Sequence, residues 1–338
     1  MSTRRWLLAA AAATVGLTAA GFGLVRTAFF FPAERAEVPV HCAADTPTLP
    51  VGTELTALVW NVQFSAGRSY HFFYDGGQDV TASPEEVEQT LDAIAAVIRE
   101  VDPDLVLLQE VDRDSRRTGR VDQHAALLER LGYPCHASAT YFRAPYVPHP
   151  PHEHLGRMDM HLSVFSRYRI EAATRHRLPE LDEPWVRKIF NLRRAVLEVE
   201  VARESGPPLR LFNTHLSAFS RGDGTLGRQV ARLDALAGQA DGDGVPWLLA
   251  GDLNALPPGD DPSRLPEADR ALYAESTTPI QPLLDHQRTP FPVETWSDEP
   301  ERWRTYLPVG VTEADRTLDY VFHGGPLEAA DYERHHQH

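Results

Sequence analysis

Four short apolar runs in this chain stop abruptly in polar residues, and no other feature constrains the fold as much. Leu55-Thr56-Ala57-Leu58-Val59-Trp60 ends at Asn61, and Leu105-Val106-Leu107-Leu108 ends at Gln109-Glu110. Leu209-Arg210-Leu211-Phe212 ends at Asn213-Thr214-His215, and Pro246-Trp247-Leu248-Leu249-Ala250 ends at Gly251-Asp252-Leu253-Asn254. Short apolar runs bounded by breakers read as buried strands. A buried strand that stops in Asn, Glu, His or Asp carries those groups to one rim of a sheet, where active sites of such sheets sit. A single end of this kind is more often a loop polar residue with its hydrogen bonds satisfied. Four together point to a site.

Helical patterns alternate with these runs, which suggests an α/β protein. Ser83-Pro84-Glu85-Glu86 is a helix start, with Ser as the cap, Pro in the first turn and Glu placed to close a capping box. The helix runs to about Arg99, with Val87, Leu91, Ile94, Ala95 and Ile98 on one face, and Asp102-Pro103-Asp104 breaks it. Further helices are expected over 122–131 and 226–239, and further strands over 160–166, 195–201 and 318–322. The segment 141–157, with Tyr146, four Pro and three His, reads as a long loop bordering the site. Cys42 and Cys135 are either free thiols or, in an oxidising compartment, one disulfide.

The chain has 338 residues, long enough for one large domain or two small ones, and its 42% hydrophobic and 24% charged residues are ordinary globular values. The net charge is −15 and no basic stripe is visible, which disfavours a nuclease that grips phosphate backbones. A metal ion can supply positive charge inside an acidic cleft. Near the N-terminus, Arg4 and Arg5 precede an apolar run from Trp6 to Val25, followed by Arg26 and Phe29, Phe30 and Phe31. Residues 1–31 therefore read as a membrane anchor with the Phe side chains at the outer interface. A signal peptide cleaved near Thr18-Ala19-Ala20 is the rival reading. Residues 32–53 read as a linker, 54–325 as the domain and 326–338 as a disordered or truncated tail.

Five motifs carry a resemblance to a known family. Trp60-Asn61-Val62-Gln63, Leu108-Gln109-Glu110-Val111, Asn213-Thr214-His215-Leu216, Gly251-Asp252-Leu253-Asn254 and Arg316-Thr317-Leu318-Asp319-Tyr320, in that order, resemble the motifs of the endonuclease/exonuclease/phosphatase superfamily. The resemblance covers about 54–325. It implies an α/β (α+β) fold of the DNase I type, a four-layered sandwich of two mainly antiparallel sheets flanked by helices. It also implies hydrolysis of a phosphoester with a divalent metal, Mg²⁺ or Mn²⁺. Asn61 and Glu110 would hold the metal, since hard oxygen ligands suit it. Asp252 would orient and help deprotonate water, and Asn254 would donate to a phosphoryl oxygen or hold the metal shell. His215 would donate to the non-bridging phosphate oxygens. Asp319 in such enzymes orients a final histidine, but the family's closing Ser-Asp-His motif does not occur here, so Asp319 is expected to lack its partner and the chain to be impaired.

Other residues are less committed. Arg193 and Arg194 precede a strand and either approach the substrate phosphate or form a solvated strand end. Tyr70, Phe72, Phe73 and Tyr74 form either a substrate- or membrane-facing wall or the packing of a loop. His149, His152 and His154 lack the Cys or carboxylate that would complete a zinc site. The expected protein is an exported monomer, tethered to the membrane by its N-terminal segment or secreted, that hydrolyses a lipid headgroup or other small phosphoester. A secreted nuclease and a non-catalytic scaffold are the alternatives.

Overall fold

The computed structural model describes residues 25–218, 223–273 and 278–335, with isolated positions before residue 25. Its strands are β1 (Arg35–Glu37), β2 (Val40–Cys42), β3 (Ala57–Asn61), β4 (Leu105–Asp112), β5 (Cys135–Val147), β6 (Gly156–Ser166), β7 (Ile170–Arg177), β8 (Ala195–Val201), β9 (Leu209–His215), β10 (Trp247–Asp252) and β11 (Asp319–Gly324). Its long helices are α1 (Pro84–Val101), α2 (Gln123–Leu131) and α3 (Thr225–Gly242). One sheet runs β1-β7-β8-β9-β10-β11 and the other β2-β5-β6-β4-β3. Only β3–β4 and β9–β10 pair in parallel. The fold is thus the mainly antiparallel two-sheet sandwich that the motifs implied.

Alternation along the strands builds the layers. Leu105, Leu107, Leu162, Val164, Leu197, Val199 and Leu211 point between the sheets and form the central core. Val106, Leu108 and Phe165 point the other way, and α1 covers them with Val87, Leu91, Ile94, Ala95 and Ile98. On the opposite flank, Leu226, Val230, Leu233 and Ala237 of α3 cover Phe212, Trp247 and Leu249. Helix α1 starts as its sequence dictates. Ser83 Oγ accepts from the Glu86 amide at 3.2 Å, Pro84 opens the first turn, and Asp102 ends the helix at φ 52°.

The structure departs from the sequence reading in four places. Residues 32–53 are not a linker: β1 pairs with β7 and β2 with β5, one in each sheet, and Cys42 lies opposite Cys135 in a disulfide. The two strands are too short to show a period in sequence. Second, 141–157 is mostly the β5–β6 hairpin. Ladder irregularities after Thr140 and after Ala144 accommodate Pro145, which has no amide proton to donate. Third, the tail carries no helix or strand up to residue 335, but it is held. Tyr332 stacks on Trp303 with ring centroids 5.8 Å apart, and Arg334 donates to the Arg304 carbonyl. Fourth, Phe29 meets Phe190 edge-on at 5.4 Å, and Phe30 and Phe31 lie under the Arg175 and Arg193 guanidinium groups, so all three Phe pack on the domain. Most of the anchor or signal segment lies outside the described residues, and among those described no helix is long and apolar enough to cross a membrane.

A buried polar chain lies under α2. His124 Nδ1 meets Ser163 Oγ at 2.9 Å, and His124 Nε2 meets His136 Nδ1 at 2.9 Å. His161 joins Ser138 Oγ at 2.9 Å and Asp159 Oδ1 at 3.0 Å. Burial, reinforced by His136, pulls the His124 imidazole down to about 3 from 6.5. The folded state therefore keeps His124 neutral where the unfolded chain protonates it. Its contribution is complete above pH 6.5 and is lost as the pH falls from there toward 3, by up to about 1.4 kcal/mol per pH unit. Denaturant titrations between pH 6.5 and 5 should show wild type losing about 2 kcal/mol through this group, and His124→Gln a flatter profile. Equal slopes in the two proteins would refute the assignment.

Candidate active site

Register brings the polar strand ends together. In the parallel β9–β10 pair His215 lies opposite Asp252, and in β10–β11 Asp252 lies opposite Asp319. Three neighbouring strands thus place His215, Asp252 and Asp319 side by side. The other sheet contributes Asn61 at the end of β3, whose Nδ2 donates to Asp252 Oδ2 at 3.0 Å. Gln63 N holds Asn61 Oδ1 at 3.0 Å.

β4 does not end at Gln109-Glu110, as its sequence suggested. Its pairing with β6 is interrupted between Leu108 and Val111, and Glu110 takes φ 57° there before the strand resumes. Such a bulge re-aims a side chain. Gln109 turns the other way and ties the sheets together: its Nε2 donates to Asn213 Oδ1 at 2.7 Å, and Asn213 Nδ2 donates to the Leu108 and Ser163 carbonyls at 3.0 Å.

The His215 imidazole lies between two carboxylates, with Nδ1 3.7 Å from Glu110 Oε1 and Nε2 3.6 Å from Asp252 Oδ2. Asn254, at φ 50°, donates its amide to Asp252 Oδ1 at 2.9 Å and one side-chain proton to the Leu216 carbonyl at 3.0 Å. Asn61, Glu110, His215, Asp252, Asn254 and Asp319 all line one cavity of about 2030 Å³.

The two arginines separate. Arg194 lines the cavity with its guanidinium 5.5 Å from the Tyr141 ring centre, and its Nε and Nη1 are buried without a hydrogen-bond partner. Arg193 points elsewhere, pairing with Glu180 and covering Phe31. The aromatic loop is both packing and wall: Phe72 is fully buried and stacks on Tyr74 at 5.5 Å, while Phe73 and Tyr74 line the cavity. The loop histidines disperse. His149 meets Phe73, His152 the Gln78 carbonyl and His154 Tyr146.

Sequence reasoning missed several groups. Tyr141 is buried edge-on to His215 at 6.2 Å, with its hydroxyl unpartnered. It was hidden in the segment read as loop, although Ala137, Ala139 and Tyr141 alternate as a strand would. Arg117 pairs with Asp112 at 2.8 and 3.1 Å behind Glu110, its guanidinium 3.5 Å from the centre of the Phe64 ring. Asp75 faces the same cavity, where burial and then Glu110 push its carboxyl up to about 6. Neither Arg117 nor Asp75 belongs to a patterned run.

The electrostatics fit a missing positive charge. Burial, followed by the neighbouring Asp319, pushes the Asp252 carboxyl well above the usual carboxylate range. Burial also raises Asp319, and raises Glu110 despite Arg117 and Arg194. Burial and Arg194 hold His215 well below the usual imidazole range. Asp319 Oδ1 and His215 Nδ1 are buried with no hydrogen-bond partner. A divalent cation would relieve this crowding of carboxylates. Among the described residues no group of three or more His, Cys, Asp or Glu side chains is arranged to hold a metal. Mg²⁺ does not require one, because it keeps several waters and binds through one or two carboxylates.

The model of the Endonuclease/Exonuclease/phosphatase family matches residues 58–337. The chain belongs to this family. Members of the superfamily are phosphoester hydrolases and generally use divalent metal ions. Among solved structures, an endonuclease/exonuclease/phosphatase from Beutenbergia cavernae is 25% identical with a TM-score of 0.50, over 80% of this chain and 64% of that one. The match thus spans less than two thirds of that protein. Truncated Caenorhabditis elegans TDP2 is 16% identical with a TM-score of 0.49, over 82% of this chain and 86% of that one. Bacteroides thetaiotaomicron mannosyl-6-phosphatase is 13% identical with a TM-score of 0.46, over 81% and 86%. No curated protein matches the chain.

Proposed function

We propose that this family member is an exported, divalent-metal-dependent phosphodiesterase acting on a lipid headgroup or another small phosphoester. The observation that carries the chemistry is the convergence of Asn61, Glu110, His215, Asp252 and Asn254 on one cavity, from the ends of β3, β9 and β10 and the bulge in β4.

Glu110 and Asn61 are the groups to hold Mg²⁺ or Mn²⁺. When bound, the metal supplies positive charge to the phosphoryl and leaving oxygens. Asp252, fixed by Asn61 Nδ2 and the Asn254 amide, orients the attacking water and takes its proton. His215, neutral in this environment, offers one N–H to a non-bridging oxygen. Arg194, which lines the cavity, approaches the same phosphoryl group, and Tyr141 packs edge-on against His215. Preorganised donors of this type contribute about 3 kcal/mol each to the transition state.

The substrate class rests on three features. The N-terminal apolar run supports export and tethering. Phe73, Tyr74, Tyr273 and Tyr306 give the cavity aromatic walls. The net charge of −15 works against a polynucleotide. Turnover of bis(p-nitrophenyl) phosphate, abolished by EDTA and restored by Mg²⁺, tests the chemistry. Release of headgroups from vesicles against digestion of plasmid DNA tests the substrate. Arg194→Gln should raise KM by about tenfold or more. Arg193→Gln should lower thermal stability and leave KM within about twofold, since it removes the Glu180 pair and the contact with Phe31, neither of which reaches the cavity.

A second reading, a metal-binding protein with impaired turnover, is favoured by Asp319, whose Oδ1 has no partner among the described residues. Calorimetric binding of Mg²⁺ that is lost in Glu110→Gln, with no turnover of any phosphoester, would select it.

A further inference from the structure

Beside Asp319 the same cavity holds a pair of arginines that the proposed chemistry does not use. Thr305 Oγ1 accepts from the Asp319 amide at 3.1 Å, which places Arg304 at the edge of the site. Arg334 reaches it from the C-terminal segment and donates its Nη1 to the Arg304 carbonyl. The Tyr332–Trp303 stack, with planes 7° apart, holds the two segments together. Both arginines line the cavity, and the Nε of each is buried without a hydrogen-bond partner. Among the described residues the nearest carboxylate to either is Glu301, 3.5 Å from Arg304 Nη1, and its own side chain is 71% exposed. A salt link that open contributes little.

Two like charges in one recess are costly unless an anion shares them. The cost shows at Arg334, where burial and then Arg304 pull the guanidinium down to about 10. Arg is the side chain suited to fork onto phosphoryl oxygens, and two of them match a dianion.

We propose that Arg304 and Arg334 form a second anion subsite that binds a non-scissile phosphoryl group, so that the preferred substrate carries two. This rests on the phosphoester-hydrolase reading for the scissile group, but the pair can be tested without turnover. A flanking nucleotide phosphate and a second phosphate on a small headgroup share this chemistry.

Binding of inorganic phosphate to the full-length chain with saturating Mg²⁺, followed by calorimetry, should show a second site in wild type. R304Q/R334Q should lose that site, and R304K/R334K should regain part of it. Circular dichroism checks that each variant is folded. Identical phosphate stoichiometry and affinity in wild type and R304Q/R334Q overturns the subsite, whether or not the protein hydrolyses anything. In turnover, a 5′-phosphorylated dinucleotide against its unphosphorylated form, and an inositol bisphosphate against the monophosphate, distinguish the two sources. The preferred source should show about a tenfold lower KM from the second phosphate, which corresponds to about 1.4 kcal/mol. R304Q/R334Q should abolish that preference and leave bis(p-nitrophenyl) phosphate turnover within about twofold. No preference for either doubly phosphorylated substrate in an active wild type also overturns the subsite.

Discussion

Glu110→Gln is expected to reduce Mg²⁺-dependent turnover by at least about a thousandfold, equivalent to about 4 kcal/mol of barrier. The substitution keeps the shape of the side chain and the bulge that aims it, and removes the negative charge assigned to the metal. Calorimetry should show Mg²⁺ affinity falling in parallel. The metal-free protein should not lose stability. Burial already raises the Glu110 carboxyl, so folding places this group where its ionised form is disfavoured. At neutral pH a neutral amide removes that cost, and urea titration should show equal or higher stability for the variant. Turnover within tenfold of wild type, at matched Mg²⁺, would remove Glu110 from the metal site and with it the reading of the chemistry.

The second large effect is expected at a residue with no side chain. Gly251 lies in β10 between Ala250 and Asp252 at φ 150°, opposite Thr214 in the parallel pairing with β9. A Cβ there would sit 1.9 Å from the Thr214 carbonyl oxygen and 2.9 Å from its carbon, both backbone atoms with no freedom to yield. Gly251→Ala must therefore separate β9 from β10 or distort both. We expect a loss of about 3 kcal/mol or more in unfolding free energy. Because His215 and Asp252 are the next pair in that register, activity should fall further than the loss of folded protein explains. A variant with wild-type urea midpoint would show that the strands can part without cost. Wild-type turnover per folded molecule would show that the close approach of these strands does not set the spacing of the site.

The same pairing explains why the site was largely legible from the chain. Each of Asn61, Glu110, His215, Asp252 and Asn254 follows an apolar run long enough to declare itself a buried strand, and a polar residue closing such a run falls at the rim of the sheet or, for Glu110, at the bulge that interrupts β4. Helix α1 was legible for the same local reason: its cap, its first-turn proline and its apolar face all lie within one stretch of chain. Arg194 and Arg193 were not separable, because neighbours on a chain diverge only once strand β8 and its partners decide which of them faces the cavity. Tyr141 was lost behind Pro145 and Pro148, which suggest loop wherever they occur. Here the ladder irregularities of β5 absorb Pro145, and Pro148 falls just past the end of the strand.

Local information therefore determines which residues become strand, helix and strand end, since side-chain alternation, capping and the absence of an amide proton on proline act over a few residues. Folding in three dimensions decides what those ends meet. It places β1 and β2 in separate sheets from a stretch that reads as linker, bends β4 so that Glu110 turns into the cavity, and seats the C-terminal segment against Trp303 and Arg304. The physical reason is that each of these depends on pairing or packing between segments tens to hundreds of residues apart, whose partners leave no mark on the local pattern of either.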